Sequence, residues 1–214
     1  MEYNIAVGKD DFKNTINLKL PKGNRIGVLV SGGADSAILL YLLAKLNIES
    51  LEPVELIPFT VPKKIDNAMM FAESVVNYVN NLLDIKLDGP YPVGELDSHY
   101  SKIIRTGAEA AVINFNLDCI VFGSQQVPPS EFKMLGIYPN RPSSIDEHPK
   151  VYCPFALVDK RHTMDLYRIY DRLDLLSLTH SCTEKAIGRC NECFNCSERT
   201  WSLESIQISD PGQL

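Results

Sequence analysis

Residues Ile26 to Leu42 read IGVLVSGGADSAILLYL, and this stretch restricts the fold more than any other part of the chain. Arg25 to Val30 is short, apolar and β-branched, which fits a strand buried on both faces. Ser36 to Leu46 is apolar nearly all round, so it predicts a helix pressed into a core with no polar side to spare. Between them lie only small and polar residues. A buried strand that runs directly into a buried helix needs further layers on both sides, which is how an α/β domain with a parallel sheet begins.

The rest of the chain continues this alternation. Leu51 to Thr60 reads as a strand interrupted by prolines. Asp66 to Leu83 carries Met69, Met70, Ala72, Val75, Val76 and Val79 on a helical stripe. Asp84 to Leu87 reads as a short strand before the loop DGPYPVGELDS. His99 to Phe115 predicts another helix, Asp118 to Gly123 a strand, Val151 to Lys160 an extended stretch, and His162 to Leu176 a final amphipathic helix. Crossovers of helical length predict a doubly wound, mostly parallel sheet covered on both faces. The implied organisation is an N-terminal extension over 1–24, a nucleotide-binding domain over 25–180 and a cysteine-rich C-terminal segment over 181–214. Ser124 to Tyr152 is dense in Pro, Ser, Asn and Asp, and a connection of that length predicts a functional or a disordered loop.

In open α/β sheets ligands sit beyond the carboxyl ends of the strands, where SGGADS falls. Gly32 and Gly33 let backbone N–H groups approach a ligand. The helix N-terminus adds unpaired donors and partial positive charge. Ser31 and Ser36 add hydroxyls, so the turn predicts an anion site. Asp35 adds charge of the wrong sign, which makes sense if magnesium bridges it to phosphate or if it caps the helix. Neither the G-x-x-x-x-G-K-[ST] nor the G-x-G-x-x-G pattern is present, because Lys45 lies far along the helix. A purely structural connection would use one glycine and a cap.

A strand, then S-G-G-x-D-S, then a helix resembles the PP-loop of the N-type ATP pyrophosphatases. The matching residues are Ser31, Gly32, Gly33, Asp35 and Ser36. The resemblance implies an adenine nucleotide alpha hydrolase-like fold and a turn that binds the pyrophosphate end of ATP. It also implies adenylation of a carboxylate or carbonyl oxygen, with a nucleophile then displacing AMP. Gly123, after the fourth strand, belongs to the expected nucleotide-binding set.

Residues 182 to 196, CTEKAIGRCNECFNC, place four cysteines in fifteen residues as C-x7-C-x2-C-x2-C. Cys182, Cys190, Cys193 and Cys196 can wrap one tetrahedral ion, and a closed four-thiolate zinc site is structural. C-x2-C-x2-C also occurs in iron–sulfur proteins. Disulfides are the weaker reading for a chain expected in a reducing compartment. His180, beside the cluster, is an alternative ligand. Cys119 reads as a small buried hydrophobe, Cys153 carries no assigned role, and Trp201 and Leu203 are expected to pack the tail onto the domain.

This tail looks like that of the 7-cyano-7-deazaguanine synthases, whose pattern is a cysteine followed by C-G-x-C-x-x-C and a nearby arginine. Here Cys190 to Arg199 reads CNECFNCSER, with asparagine where that family has glycine. The segment PFALVDKRHTMDLY is similar to the family's P-L-x-x-x-x-K, bringing Pro154 and Lys160 into register. The resemblance implies that Lys160 faces the phosphates or the acyl-adenylate. It further implies ATP, Mg²⁺ and Zn²⁺ as cofactors, a deazaguanine carboxylic acid and ammonia as small-molecule substrates, a queuosine-type pathway and a homodimer. Two departures fall where the acceptor would bind. Arg105-Thr106 is a loose match to the family's Arg-Asn pair, and Tyr138-Pro139-Asn140-Arg141 is displaced by an insertion. Arg105 and Arg141 are therefore the substrate candidates, and the departures leave open a related PP-loop enzyme that stops at the amide or joins the activated acid to another amine, or a nucleotide-binding protein without catalysis.

Composition narrows the classes further. A formal charge of −6 argues against a broad nucleic-acid-coating face, while leaving room for a local anion pocket. No stretch approaches the length of a membrane span, and MEYNIAVGKD lacks a basic segment followed by an apolar one, so a cytoplasmic protein is expected.

Overall fold

The apolar runs form strands where alternate side chains reach two different cores. In β3 (Arg25–Leu29), Ile26 and Val28 enter one hydrophobic cluster, while Leu29 packs against the other. In β4 (Glu55–Thr60), Leu56 joins the first cluster and Ile57 and Phe59 the second. In β6 (Cys119–Val121) the split is Cys119 and Val121 against Ile120. This two-sided burial is what a central parallel sheet requires.

The computed structural model describes residues 1–62, 67–94, 108–129, 132 and 150–212. Within them a five-stranded parallel sheet has the order β5-β4-β3-β6-β7, where β5 is Tyr91–Pro92 and β7 is Val151–Tyr152. One face is covered by α1 (Ala34–Glu49), α2 (Ala68–Leu83), α4 (Lys160–Ile169) and α5 (Leu173–Ser177). The other carries α3, whose described residues run 108–114 and which contributes Ala108 and Ala111. The architecture is thus the α/β, doubly wound parallel sheet expected from sequence. Asp118 fastens β6 to the start of β3, its Oδ2 accepting from the N–H groups of Asn24 at 2.7 Å and Arg25 at 3.0 Å.

Residues 1–24 hold an antiparallel hairpin, β1 (Glu2–Val7) with β2 (Asn14–Lys19), that forms a separate sheet. Its inward residues Ile5, Val7, Ile16 and Leu18 share the main core. At the other end, α6 (Phe194–Ser205) buries Leu203 in that same core.

Three expected elements differ. The extended stretch over Val151 to Lys160 keeps only β7, with a turn over 154–157 and Lys160 already opening α4. Asp84 to Leu87 is not a strand: Asp84 closes α2 in the left-handed region, and the Asn80 carboxamide bonds both the N–H and the C=O of Leu87. Side-chain bonding there replaces a ladder. The helix expected over His162 to Leu176 is two helices. Asp171, with φ 53°, ends α4, and the N–H of Arg172 turns back to the Tyr167 carbonyl at 2.7 Å. No helix among the described residues is long and apolar enough to cross a membrane.

Candidate functional site

From β3 the chain fills the sheet in one direction, through β4 to β5, and then returns to add β6 and β7 on the other side. The switch point therefore lies between the carboxyl ends of β3 and β6, where open sheets of this kind leave a crevice. Two segments meet there, Ser31–Ser36 after β3 and Gly123–Gln126 after β6. Gly123 is pressed against the first turn of α1: a Cβ there would stand 3.1 Å from both the Asp35 carbonyl carbon and the Ser36 nitrogen. Gly32, with φ 77°, adopts a conformation other residues resist, and a Cβ would meet Phe71 at 2.4 Å.

Gly33 occupies the N-cap of α1 without a side-chain bond. The first-turn N–H groups, which have no intrahelical partner, are thus left by the cap for a ligand. The hydroxyls shape the turn. Ser36 Oγ accepts from the Ser31 N–H at 3.1 Å and donates to the Gly33 carbonyl at 3.1 Å, while Ser31 Oγ lies 3.2 Å from Ser36 Oγ. Asp35 is not the cap. Its carboxylate faces α4, where Lys160 Nζ pairs with Oδ2 and Thr163 Oγ1 donates to Oδ1 at 2.8 Å.

Lys160 is 5% exposed, an unusual degree of burial for a lysine, and Asp35 is its ion-pair partner. The start of α4 is held by a capping box. The Asp159 side chain accepts from the Arg161 N–H, and the His162 side chain bonds the Asp159 backbone N–H. Burial alone would raise the Asp159 carboxyl, but its side-chain contacts with His162 and Arg161 outweigh it and hold the group at about 2. Tyr167, fully buried one turn beyond Thr163, donates to the Ala34 carbonyl at 2.5 Å. Lys160, Thr163 and Tyr167 follow helical spacing, so one face of α4 grips the beginning of α1 at three points.

The four tail cysteines come together. Their sulfurs all lie within 4.8 Å of one another, with Cys190 Sγ 3.9 Å from Cys196 Sγ. This set could hold a metal ion. Backbone N–H groups already point at the sulfurs: Cys193 N–H to Cys190 Sγ at 3.2 Å, and Cys196 N–H to Cys193 Sγ at 3.5 Å. Burial opposes ionisation of Cys190, but the N–H groups of Glu192 and Cys193 lower its thiol to about 7. Cys196 is raised to about 12, chiefly by burial. His180 is not part of the cluster; its Nε2 is 2.9 Å from the Gly188 carbonyl and its ring stacks on Phe71 at 4.5 Å. Burial pushes the Cys119 thiol to about 11 and the Cys153 thiol to about 12, as inert buried sulfurs.

The tail also reaches the glycine turn after β3. Arg199 on α6 is fully buried and forks onto Asp210 through Nε at 2.8 Å and Nη2 at 3.0 Å. Its Nη1 donates to Thr179 Oγ1 at 2.7 Å and to Ser181 Oγ at 3.2 Å. Between those two residues, the His180 N–H donates to the Gly32 carbonyl at 2.9 Å. One residue past Ser181 is Cys182. The cysteine knot and the glycine turn are therefore strapped to one another by a three-residue segment.

Of the residues singled out from sequence, Ser31, Gly32, Gly33, Asp35, Ser36, Gly123 and Lys160 converge on the crevice, and Cys182, Cys190, Cys193 and Cys196 on the knot. Arg105 and Arg141 lie outside the described residues. His162 serves the capping box. Thr163, Gln125, Tyr167 and Arg199 were not picked out as site-forming. Lys160-x-x-Thr163 at helical spacing is the available signal for the first; the partner of Gln125 is 38 residues away in sequence and leaves none, while Arg199 stands in the tail pattern but its partner Asp210, 11 residues on, does not.

No protein-family model matches the chain, and no curated protein matches it. Among solved structures it is similar to the U34-tRNA thiolase NcsA from Methanococcus maripaludis, solved with its 4Fe-4S cluster. The identity is 16% and the TM-score 0.47, over 86% of this chain and 66% of that one.

Proposed function

We propose that this chain is an ATP-dependent adenylating enzyme whose glycine turn holds the departing pyrophosphate. The observation that carries the reading is the meeting, at the switch point of the sheet, of an uncapped helix N-terminus with a buried lysine tethered to Asp35. Both features favour a developing negative charge, which donors fixed in place stabilise without reorganising. The α1 amides and the Lys160 ammonium stabilise the charge that leaves with pyrophosphate. Magnesium arriving with the nucleotide would supply further charge neutralisation, and Asp35 is the carboxylate of the turn that would hold it. No side-chain nucleophile is needed, because the substrate oxygen itself attacks the α-phosphorus.

The finer reading rests on the likeness of Pro154–Lys160 and Cys190–Arg199 to the 7-cyano-7-deazaguanine synthases. In it, 7-carboxy-7-deazaguanine is the acid. Its carboxylate displaces pyrophosphate from ATP, and ammonia then displaces AMP to give the amide. A second activation, through the amide oxygen, expels AMP again and leaves the nitrile. The metal of the knot is zinc. Tetrahedral Zn–S bonds of about 2.3 Å bring four sulfurs within about 4 Å of one another, close to the spacing found here, whereas a four-iron cube holds its thiolates further apart. Four thiolates leave no open position, so the ion is structural. A cytoplasmic homodimer completes this proposal.

The test is pyrophosphate release from ATP with 7-carboxy-7-deazaguanine and ammonia, with products identified by mass spectrometry. Nitrile formation is expected. Accumulation of the amide would shorten the reaction to its first half, and ATP binding without any release would overturn the enzymatic reading.

A further inference from the structure

Thr163 Oγ1 has one proton and three oxygens within reach: Asp35 Oδ1 at 2.8 Å, Gln125 Oε1 at 3.1 Å and the Lys160 carbonyl at 3.1 Å. The carboxylate is both the nearest and the charged acceptor, so it takes the proton. Gln125 Oε1 would then face a lone pair of Thr163. The other end of that carboxamide, Nε2, is buried and has no partner, in a side chain belonging to a residue only 9% exposed. The two ends of a carboxamide are nearly isosteric, and a half-turn exchanges them. The exchange turns an oxygen–oxygen contact into a hydrogen bond and leaves at the buried end a carbonyl oxygen, which tolerates going unpaired better than an N–H does.

We propose that Gln125 is a positioning residue. Its Nε2–H donates to Thr163 Oγ1, the Thr163 hydroxyl donates to Asp35 Oδ1, and this chain of bonds holds Asp35, and through it Lys160, against the phosphate turn. The inference deepens the nucleotide reading given above and rests on it. The surroundings suit the role. Gly123, two residues before Gln125, packs on the backbone of Asp35 and Ser36. The Gln126 N–H donates to the Val158 carbonyl at 2.8 Å, next to the cap of α4. The loop after β6 is thereby fixed to both helices whose side chains it links. Lys160 holds one carboxylate oxygen and Thr163 the other. When the ammonium turns toward a phosphate, the Gln125–Thr163 bond is what keeps Asp35 from rotating away with it.

Two measurements test this on the full chain. The first is Mg·ATP affinity by calorimetry for Gln125→Met, Thr163→Val, the double variant and Thr163→Ser. Loss of one such bond weakens binding roughly fivefold, so Q125M and T163V each show that loss, T163S stays within about twofold, and Q125M adds nothing in the T163V background. Wild-type affinity for Q125M, or effects that multiply in the double variant, would overturn the proposal. The second is NMR of the ligand-free protein. One Gln125 side-chain amide proton is protected from exchange in wild type and T163S and loses its protection in T163V; rapid exchange in wild type would overturn the bond chain. If wild-type protein fails to bind Mg·ATP, the nucleotide reading falls, while amide protection still decides whether the chain of bonds exists.

Discussion

Replacing Arg199 with leucine separates a structural arginine from one that meets substrate. Its guanidinium is 1% exposed and all three nitrogens are engaged, two on Asp210, with others on Thr179, Ser181 and the Leu176 carbonyl at 3.1 Å. Breaking a buried ion pair by removing one partner typically costs about 3–5 kcal/mol, because the remaining charge stays buried. Here Arg189 also pairs with Asp210 and continues to neutralise it, which puts the expected loss near the lower figure. For a chain of this size about 3 kcal/mol corresponds to a fall in Tm of roughly 6–12 °C. Calorimetry in the presence of saturating metal reads it directly. R199L should also weaken Mg·ATP binding, since Thr179–Ser181 is the segment whose His180 N–H supports the Gly32 carbonyl. Lysine at 199 cannot fork onto a carboxylate and should recover only part of either loss. A Tm for R199L within about 2 °C of wild type would refute the reasoning, because that corresponds to less than about 1 kcal/mol and an anchoring arginine cannot be removed so cheaply.

Gly123→Ala places a methyl carbon 3.1 Å from the first-turn backbone of α1. It should weaken Mg·ATP binding at least tenfold with only a modest change in Tm; unchanged affinity would remove Gly123 from the site. Removing metal with a chelator under reducing conditions should release one ion per chain, lower Tm and weaken ATP binding through the 179–181 strap, as reciprocal linkage requires; a melting curve insensitive to the chelator would contradict this. Asp159 and Asp210 are each held at about 2, below the ordinary 3.8: burial alone would raise them, but their arginine partners, with His162 at Asp159, outweigh it. Their contribution to stability is complete above about pH 4 and disappears as pH falls toward about 2. Urea titrations across that window should show the loss, and Asp159→Asn should flatten its slope.

The fold was legible because its strongest signals are local. The greasy strand, the small-residue turn and the all-apolar helix around Ser31–Ser36 sit within one short stretch, and each admits one conformation. The cysteine spacing was legible for the same reason. What escaped was set by distance in sequence or by backbone geometry. The break between α4 and α5 depends on Asp171 accepting φ 53°, which nothing in the apolar pattern announces. The loop at Asp84 to Leu87 depends on a single Asn80 carboxamide bonding a backbone seven residues on. At the site, Asp35 was legible as a charge out of place, but not what it pairs with: Lys160 is 125 residues away and Thr163 128. The partners emerge only when β3 and α4 are brought together by the sheet.

A crystal structure with Mg·ATP shows whether the Ser31–Ser36 turn cups the pyrophosphate end of ATP. The expected result is β- and γ-phosphate oxygens within hydrogen-bond distance of the first-turn N–H groups of α1, with Lys160 reaching the same phosphates. A nucleotide bound elsewhere while the turn keeps only its internal serine bonds would contradict it.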